Sequence, residues 1–192
     1  MSPPTTSTDS LRATAGAHRL AVGSGGGTQR PADTTRAPLV ILTLNVAGLG
    51  DWKKRRALFK WLRGKRADVI LLTETHLVSE RVERGWRMGW EGGGGSGTQQ
   101  RSWWAHSTSS HTGGTAVLFR AGLQFQDVCV TREEGGEGRW IRVECTLHDA
   151  ERWAFTSVYA PATAGARAAW IRATHPHWAR RGGESEEKES ED

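Results

Sequence analysis

An α/β fold, a mixed β-sheet with flanking helices, is predicted by three features of the chain. The stretch "LVILTLNVAGLGDWKKRRALFKWLRGKRADVILLTE" reads as strand, helix and strand within one crossover length. Five shorter strand candidates follow, separated by glycine-bearing loops. With 192 residues and 36% hydrophobic content, there is material for a single core of roughly 100–150 residues between polar ends.

The elements follow in order. Residues 1–36 are rich in Ser, Thr and Gly and lack an apolar run, so they read as a disordered leader without a secretory signal. Leu39 to Val46 reads as a buried strand, because it is short, apolar and bounded by Pro38 and Gly48. Trp52 to Arg63 reads as an amphipathic helix. Leu58, Trp61 and Leu62 fall on one stripe, while Lys53, Lys54, Arg55, Arg56, Lys60 and Arg63 carry charge, and Gly64 is the stop. Ala67 to Thr73 reads as a second buried strand, parallel to the first, which puts Asn45 and Glu74 at the same end of the sheet.

After "EGGGGSG" come Ser102 to Ala105, Thr115 to Phe119, Phe125 to Thr131, Trp140 to Leu147 and Trp153 to Tyr159. In the fourth, Ile141, Val143, Cys145 and Leu147 alternate with Arg142, Glu144 and Thr146, the pattern of a strand with one buried face. A last helix is expected over Ala164 to Ala173. The folded domain is therefore placed at 37–173, with a polar, acidic and disordered tail at 174–192.

Composition restricts the partners. The longest apolar stretch is about 10 residues, against the ~20 that a membrane-spanning helix needs, so no membrane partner is expected. Cys129 and Cys145 are too few for a disulfide framework and suit a reducing compartment. The formal charge is +5 even though the last nine residues, "ESEEKESED", hold six acids and one lysine, so the remainder is more basic still. Such a surface attracts polyanions, above all nucleic acid. The "KKRR" segment reads as a solvated helix face or a nuclear localisation signal, and a nuclear location is expected, with the cytoplasm as the alternative.

Three apolar strands end in an isolated polar residue: Asn45 after "VILTL", Glu74 after "DVILLT", and Tyr159 after "WAFTSV". Ligands of sheets with parallel strands collect beyond the carboxyl ends. A carboxylate, an amide oxygen and a phenol converging there can hold a hard cation and orient a phosphate. Mg²⁺ keeps several waters, so one carboxylate and one amide are a sufficient protein contribution. Each residue also has a plainer role: a turn for Asn45, an exposed ion pair for Glu74 and a partly buried aromatic for Tyr159. Their joint placement favours the site.

The blocks "LTLNVAGLGDWKKRRALFKWLRGKRADVILLTETHL", "GGTAVLFRAGL", "EGRWIRVECTL" and "WAFTSVYAP" together resemble the amino-terminal half of the endonuclease/exonuclease/phosphatase superfamily, over roughly residues 38 to 172. Within it they look like the AP-endonuclease-like domain of vertebrate non-LTR retrotransposons, with exonuclease III and class II AP endonucleases as relatives. The resemblance implies a four-layered α/β sandwich and Mg²⁺-dependent cleavage of DNA, with Mn²⁺ as a substitute. It implies that Asn45 and Glu74 hold the metal, that Tyr159 positions the phosphate as a catalytic residue, and that Arg139 of "EGRW" contacts DNA. His76 is expected to pack beside the ligands and not to act as the base.

Two departures carry expectations. Thr73 stands where the family has a glutamine. The family's second half supplies an Asp-x-Asn pair and an Asp-His pair, yet Asn45 is the only asparagine here and no aspartate follows Tyr159 until Asp192. His175 and His177 have no preceding aspartate and read as lying outside the domain. The expectation is a truncated sandwich with weak or no activity, since losing the base alone costs about 10²–10⁴ in rate. The inner face of its first sheet should be bare and in need of a partner chain. The competing readings are a non-catalytic nucleic-acid-binding fragment and a phosphodiesterase acting on inositol phosphates or phospholipids.

Overall fold

The computed structural model describes residues 15–19, 38–92, 100–133, 136–147 and 151–179. These form β1 (Ala15–Arg19), β2 (Val40–Asn45), α1 (Trp52–Arg63), β3 (Val69–Thr73), α2 (Glu80–Glu91), β4 (Arg101–Ala105), β5 (Thr115–Phe119), β6 (Phe125–Arg132), β7 (Trp140–Leu147), β8 (Glu151–Val158) and α3 (Ala164–Ala179).

The first sheet has the order β1-β2-β3-β5-β4, and the second β6-β7-β8. Strands β2 and β3 are parallel, with Asn45 opposite Thr73; the other pairings are antiparallel. Alternation divides the first sheet cleanly. Leu42, Leu44, Ile70, Leu72, Ala116 and Leu118 pack outward against Phe59 and Leu62 of α1 and Trp86 and Trp90 of α2. Val69, Val117 and Phe119 pack inward against Ile141, Val143, Cys145, Leu147 and Phe155 of the second sheet. Strands β3 and β5 are thus buried on both faces, which is why "VILLT" and "TAVLF" are continuous apolar runs. Ser157 links the sheets directly, its Oγ donating to Leu72 O at 2.8 Å. Helix α3 touches β7, and its described side chains are largely exposed.

Local chemistry sets the helix ends. Asp51 caps α1, Oδ1 accepting from Lys53 N at 2.7 Å and Lys54 N at 3.3 Å. Gly64 closes it through an N–H to Trp61 O at 3.1 Å. Ser79 caps α2, with Glu80 and Glu83 in the first turn where the helix dipole favours negative charge. Burial pushes the Cys145 thiol up to about 11, the mark of an inert core cysteine.

Four expectations change. Helix α2 was not anticipated. Strand β1 falls within the segment read as a disordered leader; it pairs through backbone along β2, which composition does not report. Helix α3 continues to Ala179, past both the expected helix end at Ala173 and the expected domain limit. The inner face of the first sheet is not bare either. The three strands of the second sheet bury Val69, Ala105, Val117 and Phe119 completely, while Leu39, Ile41, Leu71 and Trp103 are half-buried. The rest of the leader, residues 180–192 and the side chains of His175 and His177 lie outside the described residues.

Candidate metal and phosphate site

The site forms where β2, β3 and β8 end. Alternation turns Ile41, Thr43 and Asn45 to the inner face of the sheet, but would send Glu74 to the helix-packed face with Ile70 and Leu72. The backbone reverses this. Glu74 has φ +55° and His76 φ +59°, left-handed values that residues other than glycine rarely adopt. The turn is held by ties from Gly48 N to Glu74 O at 2.7 Å, Thr75 N to Gly114 O at 3.0 Å and His76 N to Gly113 O at 3.0 Å. As a result the Asn45 amide Nδ2 donates to Glu74 Oε1 at 3.2 Å.

Asn45 also closes its own turn, Oδ1 accepting from Ala47 N at 3.0 Å. It therefore aims the Glu74 carboxylate from a side chain fixed by its own turn. The opposite oxygen, Glu74 Oε2, faces His76 Nε2 at 3.6 Å, and that buried nitrogen has no hydrogen-bond partner among the described residues. His76 fits there because residue 48 is glycine: a Cβ on Gly48 would stand 2.7 Å from His76 Nδ1. His76 thus packs beside Glu74, as expected.

Tyr159 follows the inward register of Phe155 and Ser157, and its hydroxyl lies close enough to Glu74 for the carboxylate to raise its pKa. Arg139 is paired with it: Tyr159 N donates to Arg139 O at 2.6 Å, and the guanidinium lies 5.4 Å from the centre of the Tyr159 ring. The structure thus gathers all four residues singled out from the sequence. It adds Glu137, which ion-pairs with Arg139 and was missed. The signal was present in the spacing of "EGR", an acid and a base two residues apart. A cleft of about 380 Å³ opens beside Asn45, between Thr43, Leu71 and Thr73 of the first sheet and Thr156 and Val158 of the second.

The model of the Endonuclease/Exonuclease/phosphatase family matches residues 42–189. The chain belongs to that family. Nuclease or phosphodiesterase-type hydrolysis is the general function the family supports, and its members generally use divalent metal ions. The donors are a carboxylate, an amide oxygen and a phenol, with no thiolate, a set suited to a hard cation that keeps much of its water. Among the described residues, no group of three or more His, Cys, Asp and Glu side chains forms a closed metal cage. Glu74 would be the anchoring ligand and Asn45 its orienting neighbour.

Burial raises the Tyr159 pKa above its ordinary 10.0, and the neighbouring Glu74 carboxylate adds to this; Arg139 opposes it. As the only tyrosine in the chain, Tyr159 can be followed by phenolate absorbance. Its midpoint is expected above 10, lower in Glu74→Gln and higher in Arg139→Gln. Because the folded value exceeds the unfolded one, this group's contribution to stability is complete below pH 10 and is lost as pH rises through the folded midpoint.

The Gly113–Gly114 corner fixes the neighbouring loop. Both residues have positive φ, and Gly114 N donates to Glu137 O at 3.0 Å. Gly113→Ala would place a Cβ 2.2 Å from Glu137 O. A loss of about 2 kcal/mol or more is expected in urea unfolding, because the obstructing atom is backbone and φ is left-handed.

Proposed function

We propose that the chain is a nuclear, Mg²⁺-dependent DNA phosphodiesterase of the AP endonuclease/exonuclease III type, retrotransposon-derived and weak. The convergence of Asn45, Glu74, Tyr159 and Arg139 at one sheet end carries this reading. Bound Mg²⁺ would supply positive charge to a phosphodiester oxygen. Glu74 anchors that charge and Asn45 fixes its orientation. Tyr159, held protonated by burial and by Glu74, remains an O–H donor at neutral pH and can present that proton to a phosphate oxygen. Arg139 adds a fork of N–H donors suited to phosphate. Among the described residues the cluster brings no group placed to take a proton from water, so the expected rate is low.

The test is incubation with an abasic-site duplex and a supercoiled plasmid, in Mg²⁺ and in EDTA, with Glu74→Ala alongside. Nicking that needs both the metal and Glu74 supports the proposal. Folded protein without nicking removes it.

A second reading, a non-catalytic nucleic-acid-binding fragment, draws on α1. Trp52 and Trp61 there are 57% and 42% exposed beside Lys53, Arg56 and Lys60. Salt-sensitive DNA binding without metal-dependent cleavage would favour it.

A further inference from the structure

Arg139 is the cation that the proposed reading assigns to the phosphate, yet its guanidinium already has an anion. Nη2 pairs with the Glu137 carboxylate, Nη1 donates to Tyr159 O at 3.4 Å, and the guanidinium carbon lies over the Tyr159 ring, 5.4 Å from its centre. The backbone on either side is pinned. Arg139 N donates to Glu133 Oε2 at 2.8 Å, Arg139 O accepts from Tyr159 N, and Glu137 O accepts from Gly114 N. The Glu137 side chain is therefore presented by a fixed loop. It is also the outer member of the pair, 45% exposed against 19% for Arg139. An anion arriving from solvent meets Glu137 first.

We infer that Glu137 is a positioning residue that occupies the Arg139 guanidinium as an internal stand-in for a phosphodiester, so that substrate phosphate binds by displacing one anion with another. This rests on the phosphodiesterase reading above and names a residue that reading does not use. The chemistry is matched: carboxylate and phosphodiester oxygens both accept from the guanidinium fork. A half-exposed ion pair is weak enough to exchange. The cation–π contact with Tyr159 keeps the guanidinium beside the ring while its anion changes. The stand-in also shields Arg139 from anions that cannot supply the remaining contacts of the site.

The experiment measures binding of a fluorescent abasic-site duplex by anisotropy, in EDTA at fixed low salt. It compares the full chain with Glu137→Gln, Arg139→Gln and the double variant, and with Glu80→Gln as a control for net charge, Glu80 being an exposed acid on α2. Glu137→Gln is expected to tighten binding about 3- to 10-fold, and to do so only when Arg139 is present. Glu80→Gln should change it less than about 2-fold. A structural defect would loosen binding, so a gain is not its signature. Loosened or unchanged binding in Glu137→Gln overturns the inference. So does the same gain in the Arg139→Gln background, or an equal gain in Glu80→Gln. The nicking assay is read separately: the coupling between Glu137 and Arg139 without nicking counts against the proposed activity alone, and nicking without the coupling counts against Glu137 alone.

Discussion

Glu74→Ala is expected to lower metal-supported phosphodiester cleavage by about 10²-fold or more, equivalent to roughly 3 kcal/mol of lost transition-state stabilisation. It should also weaken Mn²⁺ binding, read by the paramagnetic signal of the free ion, by more than about 10-fold. Glu74 accepts from the Asn45 amide and its charge acts on Tyr159, so its removal takes away the anionic anchor and leaves Asn45 without that acceptor. Its side chain is 24% exposed, so the fold should survive. Glu74→Gln separates charge from shape: it can retain a hydrogen bond to Asn45 but not the affinity for a cation. Glu74→Gly tests the backbone. Glycine accepts φ +55° without strain, so this variant should be no less stable than the native chain and up to about 1 kcal/mol more stable, while losing the metal. Equal metal affinity in Glu74→Ala and the native chain would remove Glu74 from the site.

That strain explains why the site was only partly legible in the sequence. Asn45 and Glu74 were placed together because a βαβ unit sends both strand ends the same way. Period-two alternation alone, however, puts Glu74 on the wrong face. Only the left-handed turn, locked by backbone bonds to Gly48, Gly113 and Gly114, brings it to Asn45. Helix α1 was legible because charge and apolar residues separate around it. Helix α2 was not, because Gly85 and Gly89 lower its propensity and much of its buried face is a pair of tryptophans, Trp86 and Trp90, joined by Glu83. Its Ser79 cap and the i, i+4 spacing of those tryptophans were the available signals. Glu83 owes its burial to His106, whose Nε2 lies 2.6 Å from Glu83 Oε2, a partner no local pattern reveals. Glu137 escaped notice for a similar reason: it acts on Arg139 across a glycine with positive φ, outside any regular element.

Phe119→Ala is expected to destabilise the chain more than any single change at the site, by about 3–5 kcal/mol in urea unfolding. Phe119 is fully buried at the seam between the two sheets, and three rings meet it edge to face. The centroids of Trp103, Phe125 and Phe155 lie 4.9, 5.0 and 5.5 Å away. Truncation would remove a ring from that seam and leave a cavity whose walls belong to β4, β6 and β8, which cannot all close on it together. Against a typical domain stability of about 5–15 kcal/mol, this is a large fraction of the total. Trp153→Ala provides the comparison, since Trp153 stacks on Phe155 at 6.0 Å but is only half-buried, and it should cost appreciably less. The order Phe119 above Trp153 follows only if the second sheet covers the first through this aromatic cluster. Equal costs would mean that the two sheets are held together elsewhere, and the buried tie from Ser157 to Leu72 would be the next place to look.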